Sequence, residues 1–352
     1  MCAYLARSEV EKFEILLIYY LKACAYCRNM LALNVLPYAV QNELTLMDNS
    51  RMTRKITKAI FPVAGMGTRF LPATKSNPKE MLPIVDKPLI QYAAEEAVAA
   101  GCTELIFVIG RNKRAIPDHF DKAYELEVEL QQRGKTKLLE QVQNILPSNV
   151  TCVYLRQSEA LGLGHAVWCT KALIGDEPFI VILADDLIDA QPKNCLEQMV
   201  DIYNIHGCSV LGVEEVPRED TDKYGIVSVK DVQGRQAKIE TIVEKPLPSD
   251  APSNLAVVGR YIFTPRIFNL IETHARIPGR EIQLTDAIEK LLAYETVFTH
   301  RFEGKRYDCG SKLGYLQATV EYALKHPELK EPFQQYLQSY CLPPLSSGKN
   351  SK

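Results

Sequence analysis

The sequence predicts an α/β protein with a doubly wound, mostly parallel sheet, joined by a part of mixed strands. Three observations carry that expectation. Ala59–Ala64, Leu105–Ile109 and Phe179–Leu183 are continuous apolar runs of strand length, as strands covered on both faces require, and Val150–Leu155 reads as a further strand. The stretches between these later runs have helical patterning, so strand and helix alternate as far as Asp186. Beyond His206 strand-like runs follow one another, with Gln233-Gly234 as a turn between two of them.

The elements can be justified in order. Residues 1–55 stand apart as an N-terminal extension, read as helical or poorly ordered and outside the chemistry. A regulatory or membrane-surface helix is the alternative. The apolar stretch Phe13–Tyr26 is interrupted by Lys22 and is too short to span a bilayer, and it lacks the basic start and small-residue site of a signal peptide. Residues 56–330 form the main domain, and 331–352 a C-terminal helix and tail. After the first strand, Pro72, Pro78 and Pro83 argue for an extended loop. A helix follows from Pro88 to its Gly101 stop. Residues 114–146 read as helices broken at Gly134. The turn Ser158–His165 leads into a helix around Ala166–Leu173, and another helix covers Leu196–His206. Strands are expected at Cys208–Val216, Tyr224–Val229, Ala237–Glu244, Leu255–Phe263 and Val297–Phe302. Helices are expected at Pro265–Thr273, at Asp286–Tyr294 with Thr285 as its cap, and at Lys312–Lys325 and Glu328–Tyr340. The polar tail Pro343–Lys352 is expected to fray.

Composition bounds the function. The 352 residues can bury a large core, and 47% hydrophobic with 24% charged residues is ordinary for a globular protein. A net charge of −2 argues against a nucleic-acid partner. No apolar run reaches the ~18–20 residues of a membrane span. Ten cysteines include one close pair, Cys24 and Cys27, with no second pair to complete a zinc site. They read as reduced thiols, and the compartment as cytoplasmic. The six histidines show no metal-ligand spacing.

The chemistry concentrates between Lys58 and Tyr92. The first strand breaks into Gly65-Met66-Gly67-Thr68-Arg69, a turn whose glycines let backbone N–H groups approach a phosphate. Arg69, Lys75 and Lys79 then lie at the carboxyl end of a strand, where open α/β sheets bind ligands. That is the makings of a polyphosphate clamp, although Lys75 reads equally well as a solvated loop lysine. The dinucleotide fingerprint is excluded because its third glycine is replaced by Phe70 and Leu71, and no Gly-Lys-Ser/Thr phosphate loop is present.

The run AGMGTRFLPATKSNPKEMLP closely resembles the signature of the sugar-1-phosphate nucleotidyltransferases, and the continuation through VDKP-x-IQY is similar to their uridylyltransferase branch. The resemblance covers about Thr57 to Leu329. It implies a Rossmann-like nucleotidyltransferase fold, UTP and glucose 1-phosphate as substrates, Mg2+ as cofactor and a homo-oligomeric assembly. By that resemblance Arg69 and Lys79 are catalytic, on the leaving pyrophosphate and on the α-phosphate. Ala64, Gly65, Gly67, Thr68, Glu80, Gln157 and Gly162 bind the nucleotide, and Gly225, Glu244, Lys245 and Val257 the sugar. A carboxylate at the end of an apolar strand suits a metal; the residues leave Asp185 and Asp186 open, and the resemblance selects Asp185. Asp308, in Tyr307-Asp308-Cys309-Gly310, resembles a second acidic position near the metal in sister thymidylyltransferases.

Overall fold

The computed structural model describes residues 54–274 and 281–339. The expectations for the N-terminal extension and for the tail Pro343–Lys352 lie outside these residues.

The first strand, β1 (Lys58–Val63), is followed by three short 3-10 turns, Thr68–Phe70, Ala73–Lys75 and Lys79–Met81. The expected extended loop is therefore more tightly wound. Pro72 and Pro78 each immediately precede a turn, where the missing N–H costs nothing because a 3-10 turn's first residues have no internal acceptor. A small hairpin, β2 (Pro83–Ile84) and β3 (Lys87–Pro88), leads to α1 (Leu89–Ala99). Then come β4 (Glu104–Ile109), α2 (Ala115–Phe120), α3 (Tyr124–Gln132), α4 (Thr136–Gln143) and β5 (Thr151–Arg156). Gly134 breaks α3 from α4 at φ 67°.

The helix expected at Ala166–Leu173 begins earlier and divides, into α5 (Leu163–Trp168) and α6 (Lys171–Ile174). Next are β6 (Phe179–Ile182), β7 (Asp186–Asp189), α7 (Cys195–His206), β8 (Val210–Glu215), β9 (Gly225–Gln233), β10 (Gln236–Glu244) and β11 (Leu255–Phe263). The chain closes with α8 (Ile267–His274), α9 (Leu284–Leu291), β12 (Phe298–Arg301), β13 (Lys305–Asp308), α10 (Lys312–Ala323) and α11 (Lys330–Ser339). Thr285 does not cap its helix. The N-cap is Gln283, and the Thr285 hydroxyl instead donates to Glu244.

Among the described residues nine strands form one sheet in the order β5-β4-β1-β6-β11-β8-β12-β10-β9. β5, β4, β1 and β6 are parallel, so their carboxyl ends and the loops that follow emerge at one edge. β11 then enters antiparallel to both β6 and β8, and the remaining strands mix directions. The parallel half and the mixed half are thus one continuous sheet. β7 and β13, which carry too many charges to read as strands, pair as a separate antiparallel ribbon with Asp186 opposite Asp308.

Both faces of the sheet are covered. On β1, Ala59, Phe61 and Val63 share a core cluster with α1 (Ile90, Ala94, Ala97) and α7 (Leu196, Met199), while Ile60 belongs to the cluster that holds Ala166 and Val167 of α5 with Ile267, Phe268, Ala287 and Ile288 of α8 and α9. That two-sided burial is why the central strands are continuously apolar. Among the described residues no helix is long and apolar enough to cross a membrane.

Candidate active site

The loop after β1 is folded back on itself by a few specific contacts. Gly67 sits at φ 65°, and a β-carbon there would stand 3.2 Å from Cβ of Lys79, so this turn favours glycine on both counts. The Thr74 hydroxyl donates to the Gly67 carbonyl at 2.6 Å and holds the two turns together. A β-carbon on Gly65, by contrast, would meet open space.

Lys79 reaches across to Asp185, just past the carboxyl end of β6, with Nζ 2.5 Å from Oδ2. Burial works against the Lys79 charge, but the Asp185 and Glu80 carboxylates outweigh it and hold the ammonium above the ordinary lysine range. Burial likewise opposes the Asp185 charge, and the Lys79 ammonium, with help from Arg69, holds that carboxyl below the usual range. Gly310 marks where these groups converge. A β-carbon on it would lie 2.9 Å from Oδ1 of Asp308, 3.0 Å from Oδ2 of Asp185 and 3.5 Å from Nη1 of Arg69. Arg69, Asp185 and Asp308, far apart in sequence, thus line one small space.

Asp186 faces the other way. Its carboxylate accepts from the Gly259 amide at 3.1 Å and from Nε of Arg306 at 2.6 Å. Arg306 also donates to Glu214 at 2.5 Å and stacks over the Tyr224 ring at 5.0 Å. The structure therefore separates two adjacent aspartates that sequence alone left open: Asp185 faces the cations of the loop, and Asp186 anchors the β7–β13 ribbon. Glu80, expected at the nucleotide, is 2% exposed and accepts from Lys113 at 2.7 Å. Its side chain is committed to that buried pair, which fixes the backbone beside Lys79.

Gln157 follows β5 at the same edge. Its Nε2 donates to the Gly162 carbonyl at 3.2 Å and lies 3.0 Å from Nδ1 of His165. Gly162 has φ 103°, and a β-carbon there would be 2.5 Å from Cγ of Glu281 and 2.7 Å from the Ile282 carbonyl. The turn is pinned to that neighbouring segment by Ile282 N–H to the Leu161 carbonyl, 2.8 Å, and Gly164 N–H to the Ile282 carbonyl, 2.9 Å.

The expected sugar-binding residues gather at the far end of β10. Glu244 Oε2 accepts from Thr285 at 2.5 Å, and Oε1 lies 3.2 Å from Nζ of Lys245. A β-carbon on Gly225 would stand 3.6 Å from the Glu244 carboxylate. Lys245 has φ 45°, a left-handed conformation rare for a lysine, secured by its amide donating to the Tyr224 carbonyl at 2.9 Å. The Val257 side chain is 7% exposed and packs in the core, so what it can present to a ligand is its backbone.

Residues 58–325 match the family model described as nucleotidyl transferase. The chain belongs to the nucleotidyl transferase family. Among nucleotidyl transferases it is 51% identical over 286 residues to the UTP–glucose-1-phosphate uridylyltransferase of Bacillus subtilis strain 168, covering 81% of this chain and 97% of that protein. It is 49% identical over 285 residues to a Staphylococcus epidermidis protein of the same name, with 81% and 98% coverage. Among solved structures it resembles a UTP-bound UGPase from Acinetobacter baumannii, at 44% identity and TM-score 0.76, over 81% of this chain and 99% of that one. It also resembles a UDP-glucose pyrophosphorylase complexed with UDP-glucose, at 46% identity and TM-score 0.70, over 77% and 100%.

This nucleotidyl transferase has a place that fits a divalent cation. Among the described residues no cluster of three or more metal-ligating side chains is present. Mg2+, however, commonly takes only one or two carboxylates and completes its shell with phosphate oxygens and water. Asp185 and Asp308 supply that pair at Gly310. Burial, then the Asp186 charge, push the Asp308 carboxyl up, with Asp185 adding to the effect and Arg306 opposing it. A cation there would relieve the repulsion.

Sequence reasoning missed Lys113, Arg260 and Arg306, and read His165 only as a helix start. Arg306 lies in a run too charged to read as a strand, so nothing local placed it beside Asp186. Lys113 and Arg260 lie in ordinary contexts and declare themselves only through their folded partners.

Proposed function

We propose that this chain forms UDP-glucose and pyrophosphate from UTP and glucose 1-phosphate. An oxygen of the sugar phosphate attacks the α-phosphorus of UTP, the α–β phosphoanhydride bond breaks, and its electron pair leaves with pyrophosphate. Both reactants are anions, so positioning and charge neutralisation supply the catalysis and no protein nucleophile is needed. Arg69 holds two oxygens of the leaving pyrophosphate in its fork. Lys79, released from Asp185, meets the α-phosphate and the incoming sugar phosphate. Ala64, Gly65, Gly67 and Thr68 offer backbone to the phosphates, and Glu80 keeps that backbone in place through Lys113. Asp185 and Asp308 would hold Mg2+, which supplies Lewis-acid neutralisation of phosphate charge. Gln157, with the Gly162 backbone, reads the uracil edge. Glu244 accepts from sugar hydroxyls, Lys245 meets the sugar phosphate, and Gly225 and the Val257 backbone give the ring room. The protein works as a homo-oligomer in the cytoplasm, with Leu313, Leu316 and Val320, exposed along α10, as a contact surface; sedimentation of the purified chain checks the assembly.

The observation that supports this reading best is the Lys79–Asp185 pair beside Arg69, at the edge where four parallel strands end. The names of relatives near 50% identity support the choice of uracil and glucose. The test is pyrophosphate release with glucose 1-phosphate, Mg2+ and each of UTP, dTTP and CTP. Release with UTP far above the others is expected. Equal rates with dTTP would move the chain to a thymidylyl-transferring specificity, and no release from folded protein would overturn the enzymatic reading.

A further inference from the structure

The Gln157 amide has a determined orientation. It is 7% exposed, and the carbonyl of Gly162, 3.2 Å away, can only accept, so the amide group facing it must be NH2. The same Nε2 lies 3.0 Å from Nδ1 of His165. Its second hydrogen is directed there, which requires a bare lone pair on Nδ1 and places the imidazole proton on Nε2. Cys169 Sγ stands 3.8 Å from that Nε2, and the ring packs near-parallel to Trp168 with centroids 6.0 Å apart. Both amide hydrogens are thereby spent inside the protein, and Oε1, an acceptor only, is left for a ligand.

That is the end a uracil edge needs. Uracil presents N3–H, a donor, whereas cytosine presents a bare N3 and would set lone pair against lone pair. The geometry points to His165 as a positioning residue that fixes which end of the Gln157 amide faces the base, and so as a determinant of uracil over cytosine. Burial keeps the imidazole below its ordinary range, against the pull of Glu159, so the Nδ1 lone pair persists at neutral pH. The inference rests on the proposed reading of the site as one that takes UTP. Discrimination of this kind is strong because the wrong base leaves a buried polar group unmatched.

The experiment compares kcat/KM for UTP and CTP in the wild type, His165→Leu and His165→Asn. Leucine offers no acceptor, so the amide is free to turn. The UTP/CTP ratio should narrow roughly tenfold, mainly through a higher KM for UTP, with kcat at saturation within about threefold. Asparagine can place Oδ1 where Nδ1 stood and should restore most of the ratio. Equal losses for both nucleotides in His165→Leu, or an unchanged ratio, would overturn the positioning role while leaving the uridylyl-transfer reading intact. A wild type that releases no pyrophosphate with UTP, or does not prefer it to CTP, would overturn that reading, and this inference with it.

Discussion

At the scale of single residues, the proposed clamp depends on a charge pair that the fold makes from loops 106 residues apart. Lys79→Ala removes a cation from the transition state and should lower kcat by about 10²–10³-fold, the loss seen when one preorganised donor is removed elsewhere. Single-turnover pyrophosphate release measures it. Gly310→Ala would put a methyl group within 3.0 Å of two carboxylate oxygens. The Mg2+ concentration for half-maximal rate should rise severalfold with little change in circular dichroism. Although the residues alone left Asp185 and Asp186 open, Arg69, Lys79 and a carboxylate past β6 were legible as candidates from their runs after strands. Lys113 and Arg306 were not. Their carboxylate partners lie 33 and 120 residues away, and no local pattern carries such a pairing.

At the scale of elements, most strands and helices were legible from apolar periodicity, with boundaries off by up to four residues, as at the end of β9. The exceptions share a cause. β7 (Asp-Leu-Ile-Asp) and β13 (Lys-Arg-Tyr-Asp) are short and half or more charged, with no alternating pattern, so they read as loops until their pairing supplies backbone partners. Thr285 sits beside a helix start, where capping is the usual role, but a carboxylate from β10 claimed its hydroxyl. The contact between α7 and β12 yields a pH prediction. His300 Nε2 meets Gln198 Oε1 at 3.0 Å, and burial, aided by the Arg235 charge, pushes the imidazole down to about 4. The unfolded chain therefore takes up a proton near pH 6.5 that the folded one refuses. Stability should hold above that value and decline as pH falls from about 6.5 toward 4. Melting temperatures across this range check the slope, which should be shallower in His300→Gln.

At the scale of the whole domain, one buried arginine ties the sheet to the site. Arg260 on β11 is fully buried and grips Glu96 of α1 through Nε at 3.0 Å and Nη2 at 2.8 Å. It also donates to the carbonyls of Leu183 at 3.2 Å and Asp186 at 2.7 Å, which bracket the turn presenting Asp185. Arg260→Met should cost about 3–5 kcal/mol, because Glu96 is left as an unpaired buried charge. Urea unfolding measures that loss. Glu96→Gln in the same chain should recover part of the stability but not the rate, since the turn's two carbonyls remain unheld.

The Lys79–Asp185 pair makes the resting site its own counter-ion. A phosphate that captures Lys79 strands a carboxylate, and a cation that captures Asp185 frees an ammonium for phosphate. Neither exchange is favourable alone, and each makes the other easier. Nucleotide and Mg2+ should then bind with positive, reciprocal cooperativity, each tightening the other by the same factor. Titration calorimetry of either one, with and without the other, gives that factor twice.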